Sequence, residues 1–315
     1  MRNGERVAVV GVGGLMPGSG DLAGFWENVR SGTDASTDVP PGRWAVPPET
    51  AIDPRPATPD RVPNLRGYYL PPFTADLAGL DLADWPVEEL DPVFHVALHI
   101  GNAAWKTAVT KSLDRSRCGV ILGNIALPTE KSNALAREVF GPTLGLSKNE
   151  PPVHRLNRFT TGLPAALVAR GLGFGLGGYA LDAACSSSLY ALKLACDELL
   201  SGRADAMIAG GLSRPDCLYT QMGFAQLRAL SQTGRCSPFD AKADGLVVGE
   251  GGCAFVLKRL SDAVAQGDTI LGVIAGIGLS NDVDGNLLLP ASEGQLRAMR
   301  AAYRQAGWRP GDVQL

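Results

Sequence analysis

Residues 179–211 read YALDAACSSSLYALKLACDELLSGRADAMIAGG, and this stretch decides the fold. Residues 179–183 have the apolar character of a buried strand. Leu189, Leu192, Cys196 and Leu199 then recur at spacings of three and four, which is one face of a helix. Gly202 suits the left-handed conformation that ends a helix. Residues 206–209 form a second apolar strand closing on Gly210-Gly211. Strand, helix and strand make a β-α-β unit, and Cys185 falls at its first junction.

The same alternation continues on both sides. Residues 6–11 read as a short buried strand ending in a Gly-rich turn. Residues 22–30 read as a helix with Asp21 as N-cap. Residues 34–75 carry Pro40, Pro41, Pro47, Pro48, Pro54, Pro56, Pro59, Pro63, Pro71 and Pro72. That density excludes regular structure and predicts a long surface excursion. Further helices are expected over 92–109 and 163–170, and strands over 118–123, 252–258 and 271–277. A last helix over 295–306 has Leu296, Met299, Ala302 and Tyr303 as its apolar positions. Strands alternating with helices predict a layered α/β fold around a largely buried sheet.

Bulk properties narrow the function classes. The chain has 315 residues, with 29 Lys and Arg against 32 Asp and Glu, a net charge of −3. Lys and Arg are scattered without a basic run, so nucleic acid is not an expected partner. An acidic protein partner would need a local basic patch that the total charge hides. The most membrane-like window, 161–181, holds Pro164, Arg170 and many glycines, and is read as a buried helix and turn. No signal peptide is read in residues 1–12, and the expected location is the cytoplasm. The six cysteines are Cys118, Cys185, Cys196, Cys217, Cys236 and Cys253, with no CxxC pair and no His at ligand spacing. Neither a zinc site nor a disulfide framework is expected.

Cys185 is the candidate nucleophile. A cysteine attacks as its thiolate. The first turn of a helix favours that form, because its unpaired N–H groups carry partial positive charge. The same groups can hold the oxyanion of a tetrahedral intermediate. Ala183, Ala184, Ser186 and Ser187 are small and leave room for a substrate chain. Cys118, Cys196, Cys217 and Cys253 are read as inert buried thiols. His95 and His99 share a helix face at i, i+4 but lack the Glu of a HExxH motif and a third ligand, so a structural or surface role is expected. His154, beside Pro151-Pro152, reads as loop. The run 173–178 fits GxGxxG but follows a helix and opens a strand, the reverse of a dinucleotide fold. Glu250, between Gly249 and Gly251, is read as a backbone anchor near the site, and Asp244 as structural. Phe224 and Phe239 are candidate pocket or core residues.

Asp182-Ala-Ala-Cys-Ser-Ser-Ser188 is similar to the active-site motif of β-ketoacyl synthases, the condensing enzymes of fatty acid and polyketide assembly. The resemblance runs along the chain. Val7-Ala-Val-Val-Gly-Val-Gly-Gly-Leu-Met-Pro-Gly18, Phe25-Trp-Glu-Asn-Val29 and Val39-Pro-Pro-Gly-Arg-Trp44 resemble the family's opening segments. Ala209-Gly-Gly211, Gly223-Phe-Ala-Gln-Leu-Arg-Ala-Leu-Ser231, Gly234-Arg-Cys-Ser-Pro-Phe-Asp240 and Asp244-Gly-Leu-Val-Val-Gly-Glu-Gly251 resemble its later ones. Asp91-Pro-Val-Phe-His-Val-Ala-Leu-His99 departs from the common modular pattern, which has Gln and Arg there. With Asn157-Arg-Phe159 and Asp182-Ala-Ala-Cys185 it looks like synthases of polyunsaturated fatty acids or related iterative systems.

The resemblance implies a thiolase-like fold, layered α-β-α-β-α, and usually a homodimer. It implies an acyltransferase, a 3-oxoacyl-[acyl-carrier-protein] synthase, with Cys185 as nucleophile and its N–H as an oxyanion donor. Ala184, Ser186, Phe224 and Phe239 would bind substrate, with Asp182, Asp244 and Glu250 structural nearby. The partner would be an acyl carrier protein whose phosphopantetheine arm carries the substrate, with no metal or diffusible cofactor. The family's chemistry also needs two histidines, one in a His-Gly-Thr-Gly-Thr-like motif. His95, His99 and His154 fit neither position. The expectation is therefore an N-terminal piece: residues 1–260 as the first half and 261–315 as the opening of a truncated second half, inactive alone in condensation. The other readings are a non-condensing partner subunit and, less well matched, a relative acting on coenzyme A thioesters.

Overall fold

The computed structural model describes residues 5–55, 58–146, 151–283 and 291–314. Residues 1–4 of the chain's start, Pro56 of the proline run and Leu315 lie outside them. In chain order the elements are β1 (Val7–Leu15), α1 (Leu22–Ser31), β2 (Thr37–Asp38), α2 (Pro48–Ala51), β3 (Arg66–Gly67), α3 (Pro92–Thr107) and β4 (Cys118–Gly123). There follow α4 (Glu130–Phe140), α5 (Leu163–Gly171), β5 (Gly178–Leu181), α6 (Ser187–Leu200), β6 (Ala206–Ser213) and α7 (Cys217–Gln226). The last are β7 (Gly251–Arg259), α8 (Leu260–Gln266), β8 (Gly272–Ile274) and α9 (Ser292–Ala306).

One mixed sheet organises these elements, in the order β5-β4-β6-β7-β1-β8. β4 runs parallel to β5 and β6, while β6–β7, β7–β1 and β1–β8 are antiparallel. Side chains alternate between its faces, as a pleated strand requires. Val120 and Leu122 join a core with Phe94, Leu98 and Ile100 of α3 and Leu167 and Val168 of α5. Ile121 points the other way, into a core with Ala191, Ala195, Cys196 and Leu199 of α6. The chain is thus α/β, with helices covering both faces of the sheet. Each fully buried Leu or Ile here stabilises the fold by roughly 1.5–3 kcal/mol.

Several local readings hold and others change. Asp21 caps α1 by accepting from Gly24 N–H at 2.8 Å. Asp91 caps α3 by accepting from Val93 N–H at 3.0 Å, with Pro92 at the first helical position. Gly202 takes the left-handed conformation after α6. The expected Gly-rich turn after residue 11 is instead strand, because β1 continues to Leu15. Its glycines serve packing: a Cβ on Gly11 would stand 2.5 Å from Ala104 O, and one on Gly13 2.3 Å from Ile100 O, both in α3. Likewise β6 runs through Gly210-Gly211 to Ser213. The strand expected over 271–277 is reduced to Gly272–Ile274, and the proline-rich stretch is not wholly irregular: it holds β2, α2 and β3 around a buried cluster of Val39, Trp44, Ala51, Val62 and Tyr69. Leu189 is 56% exposed rather than on the buried face of α6, and Leu296 and Met299 of α9 are also exposed. The β5-α6-β6 unit exists, but β4 lies between its two strands.

Register gathers the strand ends on one edge. Gly123 aligns with both Leu181 and Gly211, Ser213 with Gly251, and Leu15 with Gly252. The carboxyl ends of β5, β4, β6 and β1 and the start of β7 therefore share one rim, and Cys185 follows the first of these.

Candidate active site

Cys185 sits in a short 3-10 turn, Ala184–Ser186, between β5 and α6. Its thiol is exposed. The turn is entered through Ala184 at φ 50, a left-handed conformation for a residue with a Cβ. Such a conformation costs about 1–2 kcal/mol. Four hydrogen bonds offset it. Asp182 accepts from Ala184 N–H through Oδ1 and from Ala126 N–H through Oδ2, each at 2.9 Å. Ser187 Oγ accepts from Ala183 N–H at 2.9 Å and donates to Ala184 O at 2.7 Å. The two backbone N–H bonds hold the Asp182 carboxyl below the usual carboxylate range, Ala126 first.

Close packing fixes the start of α6 against the sheet. A Cβ on Gly123 would lie 2.6 Å from Ser187 C and Ser188 N, and one on Gly211 2.9 Å from Ser188 Cβ. Glycine at those positions lets the helix start reach the rim. The Ser186 N–H donates to Ala183 O at 3.1 Å, and the Ser187 N–H to Ala184 O. Among the described residues nothing accepts from the Cys185 N–H. The turn thus offers an exposed thiol with a free amide on the same residue.

The other cysteines differ. Burial pushes the thiols of Cys118 and Cys217 up to about 11 and that of Cys196 up to about 12. Burial also raises Cys253. A thiol so raised carries little thiolate near neutrality.

The remaining candidates occupy other places. Glu250 is buried; it accepts from Leu70 N–H at 2.9 Å, pairs with Arg43, and lies 3.4 Å from Arg214 Nε. Arg214 also lines a small cleft with Asn124, Ile125, Leu127 and Thr160, which joins the Glu250 cluster to the loop held by Asp182. Asp244 lies in a separate loop, accepting from Ser231 Oγ at 2.6 Å and Thr233 N–H at 2.9 Å. Phe224 is half-buried. Phe239 is not a core residue: it is fully exposed, on a backbone at φ 65. A cleft of about 420 Å³ between the proline excursion and α3 includes Arg43, His95, Lys131 and Arg214 but not Cys185.

Each histidine is engaged locally. His95 Nε2 donates to Val87 O at 2.9 Å, His99 Nδ1 accepts from Asp76 N–H at 3.3 Å, and His154 Nδ1 accepts from Leu156 N–H at 3.3 Å. Burial lowers the His99 imidazole from its ordinary value. Among the described residues no group of three His, Cys, Asp or Glu side chains could hold a metal, and no helix is long and apolar enough to cross a membrane. Sequence reasoning missed Ala126, Asn124, Ser187, Arg43 and Arg214 as neighbours that build the rim. Asn124 directly after a strand, and Ser187 as the second small residue after Cys185, were the available signals.

Known proteins resemble this chain over nearly its whole length. Residues 4–263 match the family model described as β-ketoacyl synthase, N-terminal domain. The chain is 32% identical over 325 residues to the PKS-NRPS hybrid synthetase acdB of Aspergillus candidus, covering 98% of this chain and 12% of that protein. Among solved structures it resembles the PfaC keto synthase-chain length factor, with a TM-score of 0.89 and 34% identity over 98% of this chain and 35% of that one. It also resembles the oxazolomycin ketosynthase domain OzmH KS7 of Streptomyces albus JA3453, with a TM-score of 0.80 and 29% identity over 98% of this chain and 53% of that one. The sheet with helices on both faces is the thiolase-like architecture of these ketosynthases, and the chain belongs to the β-ketoacyl synthase family through its N-terminal domain.

Proposed function

We propose that this chain carries the acyl-accepting nucleophile, Cys185, of a condensing ketosynthase, a 3-oxoacyl-[acyl-carrier-protein] synthase of fatty acid or polyketide assembly. The observation that carries the reading is the exposed thiol in a strained turn, with its own N–H free, at the start of α6. The thiolate attacks the carbonyl of an acyl thioester on the phosphopantetheine arm of a carrier protein. The Cys185 N–H holds the resulting oxyanion, a placement worth roughly 2.7–4 kcal/mol per donor in comparable sites. The arm's thiol then leaves, and the acyl group remains on Cys185.

In the second stage a malonyl-type extender loses CO2, and its carbanion attacks the Cys185 thioester. Cys185 departs as thiolate, and the product is a 3-oxoacyl thioester longer by two carbons. Decarboxylation needs donors aimed at the developing enolate, a role two histidines fill in the family. His95, His99 and His154 are bonded to Val87, Asp76 and Leu156 instead. These 315 residues alone are therefore proposed to accept an acyl group without condensing it. The proposed setting is a cytoplasmic homodimer served by an acyl carrier protein, with no metal or diffusible cofactor. Asp91–His99, Asn157–Phe159 and the likeness to PfaC support a subtype related to polyunsaturated-fatty-acid synthases.

The test is covalent labelling. Incubation with an acyl-carrier thioester, or with cerulenin, should give a mass adduct that peptide mapping places on Cys185 and that Cys185→Ala abolishes. Absence of label under conditions that label a full-length relative overturns the reading in favour of a non-condensing partner subunit.

A further inference from the structure

Two peptides precede Cys185, and both are gripped by side chains that no step above uses. Asp182 takes the Ala184 N–H on one carboxylate oxygen and the Ala126 N–H on the other. Buried Ser187 takes the Ala183 N–H and gives its own proton to Ala184 O. Between these anchors Ala184 stands at φ 50, where a glycine would be the ordinary occupant. An alanine left to itself would relax into a right-handed or extended conformation and rotate the next residue away.

We propose that Asp182 is a positioning residue for Cys185: by bridging Ala126 and Ala184 it holds Ala184 left-handed, and so aims the Cys185 thiol and N–H at one point. The bridge has a second end. Ala126 belongs to the loop after β4, where Ile125 and Leu127 line the small cleft with Thr160 and Arg214. Asn124 fixes that loop by donating to Thr160 O and Thr161 O, each at 2.9 Å. Asp182 thus makes the nucleophile's turn continuous with the wall of a neighbouring cleft. Ser187 is the second anchor, on the helix side. The role rests on the reading of Cys185 as an acyl acceptor.

The experiment is a cycle of Asp182→Ala, Ala184→Gly and the double variant in the full chain. Three rates are read: Cys185 self-acylation from an acyl thioester, alkylation of the same thiol by iodoacetamide, and hydrogen exchange at the Ala184 and Ala126 amides that Asp182 holds. Asp182→Ala should slow self-acylation at least tenfold and speed amide exchange about tenfold. Iodoacetamide, which needs an exposed thiolate but no aligned N–H, should change less than threefold. In the Ala184→Gly background, removing Asp182 should cost less than threefold, because glycine enters the left-handed region without a Cβ penalty. Wild-type acylation rates in Asp182→Ala, or an equal tenfold loss in both backgrounds, overturn the proposal. Absent acylation in the wild type sinks the acyl-acceptor reading instead. Amide exchange then decides on its own, and unchanged exchange in Asp182→Ala removes the positioning role.

Discussion

Glu250 and Leu70 stand 180 residues apart in sequence, yet the Glu250 carboxylate accepts from the Leu70 N–H at 2.9 Å. The same carboxylate faces both Arg43 and Arg214. It therefore pins the end of the proline excursion to the start of β7. Glu250→Ala leaves two arginines without their shared buried partner, and the expected destabilisation is about 3–5 kcal/mol. Urea unfolding of the variant beside wild type measures it. A loss under about 1 kcal/mol would mean that solvent screens this cluster as it does a surface pair.

Asp205 supplies a pH prediction. Its carboxyl is held below the ordinary value, first by the side-chain hydrogen bond from Arg117, with Arg259 adding to it. A depressed carboxyl stabilises the fold above its unfolded pKa of about 3.9, and that contribution fades as pH falls through the lower folded value. Asp205→Asn should melt below wild type at pH 7. The gap between them should start to narrow near pH 4 and close in stronger acid. A constant gap across that range would contradict the assignment.

Thiol reactivity should divide the cysteines. At pH 8 iodoacetamide should modify exposed Cys185 and Cys236. Cys118, Cys196 and Cys217 should resist until the chain unfolds, since burial raises them to about 11, 12 and 11. A thiol at about 11 is ionised to roughly one part in a thousand at that pH. Peptide mapping over time gives the order.

Gly123→Ala tests the packing under the Cys185 turn. Its new Cβ would meet the Ser187 and Ser188 backbone at 2.6 Å, so the start of α6 must shift. A stability loss of roughly 1–3 kcal/mol is expected, together with slower Cys185 acylation. Gly162→Ala is the control, because nothing lies within 4 Å of a Cβ there.

Phe239→Ser should leave the stability of this chain within about 0.5 kcal/mol, as for other surface sites. The ring is fully exposed. A loss of several kcal/mol in thermal unfolding would restore the core reading that its aromatic character suggested.

What the sequence made legible follows from short-range physics. Asp21, Pro92 and Gly202 act through neighbours within four residues, so helix ends were readable. The strand-to-helix placement of Cys185 was readable for the same reason. The glycines of β1 were misread as a turn because their cause, α3, lies some ninety residues away. Leu189 and Met299 belong to apolar helix stripes yet are exposed, because spacing defines a stripe without saying what covers each position. The Asp182–Ala126 and Glu250–Arg214 contacts join segments far apart in the chain, and no local pattern encodes such pairings.

The common rim of strand ends has an evolutionary consequence. Leu15, Gly123, Leu181, Ser213 and Gly251 hand the chain from a rigid sheet to the loops that carry Asn124, Asp182, Cys185, Arg214 and Glu250. Two hydrophobic layers sit below that boundary and the chemistry sits above it. Substitutions in the loops can therefore change the rim while the layers beneath keep their shape. A scaffold divided in this way can vary at the rim without losing its core, while Gly123 and Gly211 keep the Cys185 turn seated on the sheet.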